Sequence, residues 1–151
     1  MPTPLRSVDV RGPRFGAWLT VAVLAVVLLT GSGALLALQA VVFALGAFAG
    51  LRYAPYGAVY RLFVQPRLSP PTEFEDAAPV RFAQAVGFAF AVVGTVGFLA
   101  GVPALGLTAT ALALAAAFLQ AAFGFCLGCQ MYLLIKRVTT RAASPEPSVT
   151  H

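Results

Sequence analysis

The chain has 151 residues, 60% hydrophobic and only 10% charged, with a net charge of +5 and a mean hydropathy of +0.87. Soluble domains are nearer a quarter charged, and a core of this size cannot hide so much apolar surface from water. An ordinary soluble domain is therefore excluded. So is a basic nucleic-acid binder, because no basic stripe carries interleaved aromatics.

Residues 1–14, "MPTPLRSVDVRGPR", form a short polar tail with three arginines and three prolines. No residue from Phe15 to Leu51 is charged. As one helix that run would reach about 55 Å at 1.5 Å per residue, so "GSG" at 31–33 is the predicted break. Span 1 is expected at about 15–31 and span 2 at about 34–52. The first span lacks a small-x-small site followed by a polar segment, so it does not read as a cleaved signal peptide.

Residues 53–80 change character. "PYGAVYRLFV" sets Tyr56, Val59, Tyr60, Phe63 and Val64 at helical spacing, which predicts a short amphipathic helix in the membrane interface. The following "QPRLSPPTEFEDAAP" holds four prolines and the acidic Glu73, Glu75 and Asp76, and reads as loop. Span 3 is expected at about 81–101. Pro103 suits the first turn of span 4, which runs from Ala104 to about Ile135. Span 4 is too long for a straight crossing, so it must tilt, kink or run along the interface, with Gly124 and Gly128 as weak points. Residues 138–151 read as a disordered tail.

The expected fold is an all-α integral membrane protein with four transmembrane helices arranged as two hairpins, plus a short interfacial helix in the central loop. All ten basic residues fall in the tail, the central segment or the C-terminal region, and neither tight turn carries one. The positive-inside rule then predicts both termini and the loop on the cytoplasmic side of a bacterial inner membrane. Two motifs echo each other: Asp9, Arg14 and Phe15 introduce span 1, and Asp76, Arg81 and Phe82 introduce span 3. This is either a duplicated hairpin or a common way to begin a membrane helix. Gly46 and Gly50, Gly97 and Gly101, and Gly124 and Gly128 form three G-x-x-x-G pairs, a packing signal that would also serve a homo-oligomer.

Apart from Arg52 and Arg81 at span ends, no charged residue or histidine lies within a span, which argues against an ion channel, a proton pump or a transporter of charged solutes. Gln39, Gln84, Gln120, Thr95, Thr108 and Thr110 are expected to bond between helices. No cofactor motif is present, and no cofactor is expected. The only two cysteines are Cys126 and Cys129, in "FGFCLGCQMYLL". Three chemistries fit the pair. It can be a thiol–disulfide or sulfur-relay couple, with Gln130 as a possible neighbour on the same helix face. It can be half a zinc site, with no other ligands in the chain. It can be two small buried hydrophobes. Closing a disulfide at i, i+3 requires a helix end or distortion. The expected role is thiol exchange with a cytoplasmic partner. The alternatives are a scaffold or subunit with packing cysteines, or a permease for a small neutral or sulfur compound.

"DVRGPRF", "LQAVVFALGA", "PYG", "PRL…PPTEFEDAAPVRFAQAVG" and "FGFCLGCQMYLL" together resemble domain-of-unknown-function family 4395 over roughly residues 8–137. The resemblance implies a multi-span membrane protein without an established biochemical role, whose relatives are often encoded near thioredoxin-like and sulfurtransferase proteins; a protein of either class is the expected cytoplasmic partner. Quinone-linked disulfide-forming membrane enzymes are also similar, but this chain lacks their second cysteine pair.

Overall fold

The structure, a computed structural model, describes residues 7–50, 53–70 and 74–143. Arg6, Arg52, Glu73 and the tail from 144 onward lie outside these residues. Helix α1 spans Arg11–Thr30 and α2 spans Gly33–Ala44, continuing through a π-helical turn at Leu45–Ala49. Helix α3 spans Pro55–Val59 and continues as a π-helical turn over Tyr60–Val64. Helices α4 (Ala77–Leu99), α5 (Pro103–Phe123) and α6 (Leu127–Ala143) complete the set. Strands β1 (Ser7–Asp9) and β2 (Phe74–Asp76) pair antiparallel.

Three helices, α1, α4 and α5, are long and apolar enough to cross a bilayer, and they mark the chain as a multi-pass membrane protein. The expectation of four full-length spans is corrected here. The second apolar segment, Gly33–Ala49, reaches only about 25 Å against a hydrocarbon core of roughly 30 Å. Its lower end is cut short by Gly50, at φ 115°. The long fourth segment is also not one helix. It stops at Phe123, and α6 begins as a separate helix that continues to Ala143, through the first part of the expected tail. Leu29, Leu99 and Phe123 are 86%, 73% and 71% exposed, as expected for side chains whose solvent is lipid.

The core is small and lies between α1, α2, α4 and α5. Leu24, Val27, Leu36, Ala40, Phe43, Ala91 and Ala113 pack together. A methyl group added at Gly97 would lie 2.6 Å from the Gly106 nitrogen, so α4 and α5 approach backbone to backbone. Two of the threonines expected to bond between helices, Thr95 and Thr110, bond within their own helices instead. Thr20, Thr95 and Thr110 each donate to the carbonyl four residues earlier in their own helix, the usual way to satisfy a hydroxyl in an apolar setting.

The sequence echo corresponds to a structural repeat in which α1, α2 and α3 recur as α4, α5 and α6. The ladder pairs Ser7 with Asp76, Val8 with Glu75 and Asp9 with Phe74. With a repeat offset of 76 − 9 = 67, this register maps onto itself about Val8 and Glu75. Phe15 meets Tyr60 with ring centroids 5.9 Å apart, and Phe82 meets Tyr132 at 5.8 Å. Helix α1 packs on α5 as α4 packs on α2. The four left-handed glycines fall in equivalent places, Gly31 and Gly101 in the hairpin turns and Gly50 and Gly124 after the second helices. Two hairpins of like orientation account for all of these pairings.

Candidate functional site

Helix α5 ends in a Schellman motif. Gly124, at φ 69°, gives its N–H to the Gln120 carbonyl at 3.0 Å, and Phe125 gives its N–H to the Leu119 carbonyl at 3.2 Å. Only glycine adopts this backbone without strain. Two further carbonyls of the last turn, of Ala121 and Ala122, accept from the Arg14 guanidinium at 3.2 and 3.3 Å. Arg14 therefore seals α5 with positive charge at the negative end of its dipole, on the stretch that leads to Cys126. Its counterpart Arg81 does the same for the second apolar segment, donating to Ala47 O at 2.9 and 3.1 Å.

Three residues after Phe123, Cys126 stands immediately before the first turn of α6. The Cys129 N–H donates to Cys126 Sγ at 3.1 Å, and the Gln130 N–H donates to Cys126 O at 3.0 Å. Cys126 thus occupies the N-cap position of a 17-residue helix. The two sulfurs are joined as a disulfide, with Cα atoms 5.1 Å apart. The helix end required at this spacing is supplied by the break at Gly124. Cys126 is half-buried, and Cys129 is buried at 8% exposure.

The glycines flanking Cys126 have separate duties. Gly124 turns the chain. Gly128 lets α6 press onto α4, since an added methyl would lie 2.6 Å from both Cα and Cβ of Ala83. Neither acts as the second half of a continuous G-x-x-x-G face, because the helix is interrupted between them. Gln130 is exposed, and what it gives Cys126 is its backbone N–H. The basic residue that reaches the turn before Cys126 is Arg14, bonded to the Ala121 and Ala122 carbonyls and 112 residues earlier in the chain than Cys126 (126 − 14). Sequence spacing draws attention instead to Lys136 and Arg137. The signal that would have identified Arg14 is its correspondence with Arg81 in the repeat.

A thiolate at Cys126 would face the first backbone N–H groups of α6, where the helix dipole favours negative charge. The bonded sulfurs present no free thiolate to a metal, and among the described residues no group of three or more His, Cys, Asp or Glu gathers.

The family model described as "Domain of unknown function (DUF4395)" matches residues 8–137. No curated protein and no solved structure matches the chain.

Proposed function

The chain belongs to the DUF4395 family, and on that premise we propose that it is a membrane-bound thiol–disulfide exchange protein acting through Cys126 and Cys129. The observation that carries this reading is the N-cap position of Cys126, with the Cys129 N–H directed at its sulfur. In the oxidised form a partner thiolate attacks Cys126 Sγ. The Cys126–Cys129 bond breaks, and Cys129 leaves as the thiolate. The partner's second thiolate then attacks its own sulfur in the mixed disulfide and releases the Cys126 thiolate beside the start of α6. The partner dithiol becomes a disulfide, two electrons pass to the pair, and the two thiol protons pass to Cys126 and Cys129. The reverse sequence oxidises the pair. A partner with its own reactive dithiol is required, so a thioredoxin-like protein is the matching class; in the reduced form the Cys126 thiolate could instead attack the outer sulfur of a sulfurtransferase persulfide, breaking its S–S bond and releasing that partner's cysteine thiolate.

The assignment of roles follows from exposure: half-buried Cys126 is the sulfur that meets the partner, and buried Cys129 resolves. A Cys129→Ser variant should therefore accumulate a mixed disulfide through Cys126, and Cys126→Ser should not. If neither variant traps a partner and the double serine variant behaves as wild type, the exchange reading is wrong. The second reading, a scaffold with packing cysteines, draws on the burial of Cys129 and on the tight contact of Gly128 with Ala83.

The proposed topology has four crossings, with the shorter Gly33–Ala49 segment as the second. Termini and central loop share the cytoplasmic face of a bacterial inner membrane. Arg14 and Arg81, at the starts of α1 and α4, support this by lying at one edge. A reporter fused at residue 70 should read inside and one after residue 103 outside.

A further inference from the structure

A niche of about 240 Å³ lies between α4 and α6, lined by Phe82, Tyr132, Ile135, Lys136, Thr139 and Thr140. We propose that this niche binds the phosphate of an anionic phospholipid and so anchors α6 at the membrane surface. The proposal is independent of the thiol reading.

The lining carries one ammonium and three hydroxyl groups, all able to donate, and among the described residues no carboxylate lines it. Lys136 Nζ stands 6.0 Å from the Tyr132 ring centroid, and Tyr132 is itself held against Phe82. The cation is thus directed over the niche by an aromatic face. A phosphate offers the acceptors that these donors lack.

The rest of the helix says why the phosphate belongs to a lipid. Leu127, Met131, Leu134, Ile135 and Val138 recur at i, i+4, i+7, i+8 and i+11, and all are exposed. They form one stripe beside the niche, and Phe123, the last residue of α5, and Phe125, on the connector that precedes α6, are exposed as well. An amphipathic helix of this kind lies with its apolar stripe in the acyl boundary and its cations at headgroup level. By contrast, the groove between α4 and α5, lined by residues such as Phe90, Val93 and Leu112, offers no charged group. It fits an acyl chain but selects nothing.

The test uses the full chain in nanodiscs containing equal parts phosphatidylglycerol and phosphatidylcholine, extracted gently and read by native mass spectrometry. Wild type should retain phosphatidylglycerol several-fold over phosphatidylcholine, because choline opposes Lys136. Lys136→Gln should abolish the preference, and Thr139→Val with Thr140→Val should reduce it. Arg141→Gln removes the same charge from another face of α6 and should leave it intact. Equal retention of the two lipids by wild type overturns the proposal, and this measurement needs no variant to fold. Equal loss in Lys136→Gln and Arg141→Gln overturns it in favour of general charge attraction. Displacement of phosphatidylglycerol by millimolar inorganic phosphate overturns the assignment to a lipid.

Discussion

The guanidinium of Arg14 donates to the carbonyl of Ala121 at 3.2 Å, tying the first turn of α1 to the last turn of α5. This contact holds the end of the helix from which the Cys126 connector departs. Arg14→Gln removes the charge at the α5 terminus and should cost about 0.5–1 kcal/mol. Arg14→Lys keeps charge but loses the forked donor and should fall between. Thermal unfolding in detergent measures the stability. In the same variants, alkylation of the reduced protein should slow in Arg14→Gln if the charge assists the thiolate. Equal alkylation rates would leave Arg14 a purely structural cap.

Gly124 and Gly128 should fail differently when replaced by alanine. Gly124→Ala forces an L-residue to φ 69°, a cost of about 1–2 kcal/mol, and should lower the fraction of protein that closes the disulfide under mild oxidant. Gly128→Ala drives a methyl to 2.6 Å from Ala83 and should loosen α6 from α4. Adding Ala83→Gly to Gly128→Ala should recover part of the loss, whereas adding it to Gly124→Ala should not. Gel shift after thiol alkylation separates the two cases.

Gln39 is 1% exposed, and its amide oxygen accepts from the Tyr56 hydroxyl at 2.6 Å. Its amide nitrogen is buried without a protein partner. Tyr56→Phe therefore leaves the whole amide unpaired and should destabilise by about 1 kcal/mol. Tyr56→Phe combined with Gln39→Leu should lose less than Tyr56→Phe alone. A strictly additive double-mutant cycle would disprove the coupling.

Asp9 links the β-ladder to both α1 and α3. Burial pushes its carboxyl pKa up, but hydrogen bonds from the Arg11 and Tyr60 side chains and the Arg11 N–H outweigh this and hold it below the ordinary 3.8. A lowered folded-state pKa contributes stability that is present above the unfolded value and lost as pH falls through the folded one. The melting temperature of wild type should therefore drop on acidification below about pH 4. Asp9→Asn should be less stable near neutrality and show a shallower acid slope. Parallel slopes would mean that other carboxylates dominate acid unfolding.

Hydropathy and charge were sufficient, without any tertiary information, to identify a multi-pass helical membrane chain, its glycine turns at Gly31 and Gly101, and the short helix at Pro55–Val64. These features depend on local composition and on periods of a few residues. The echo of Asp9, Arg14 and Phe15 in Asp76, Arg81 and Phe82 was also legible, but its meaning was not. The self-mapping ladder and the paired Phe–Tyr contacts arise only when the halves meet. Gly124 was legible as a weak point of the fourth apolar run, but tertiary structure decided whether the run tilts, kinks or breaks, because the turn depends on the left-handed backbone of Gly124 and on carbonyls bonded to Arg14. It thereby put Cys126 at a helix N-terminus rather than inside a helix. That difference is a matter of backbone direction, which the spacing of two cysteines does not encode.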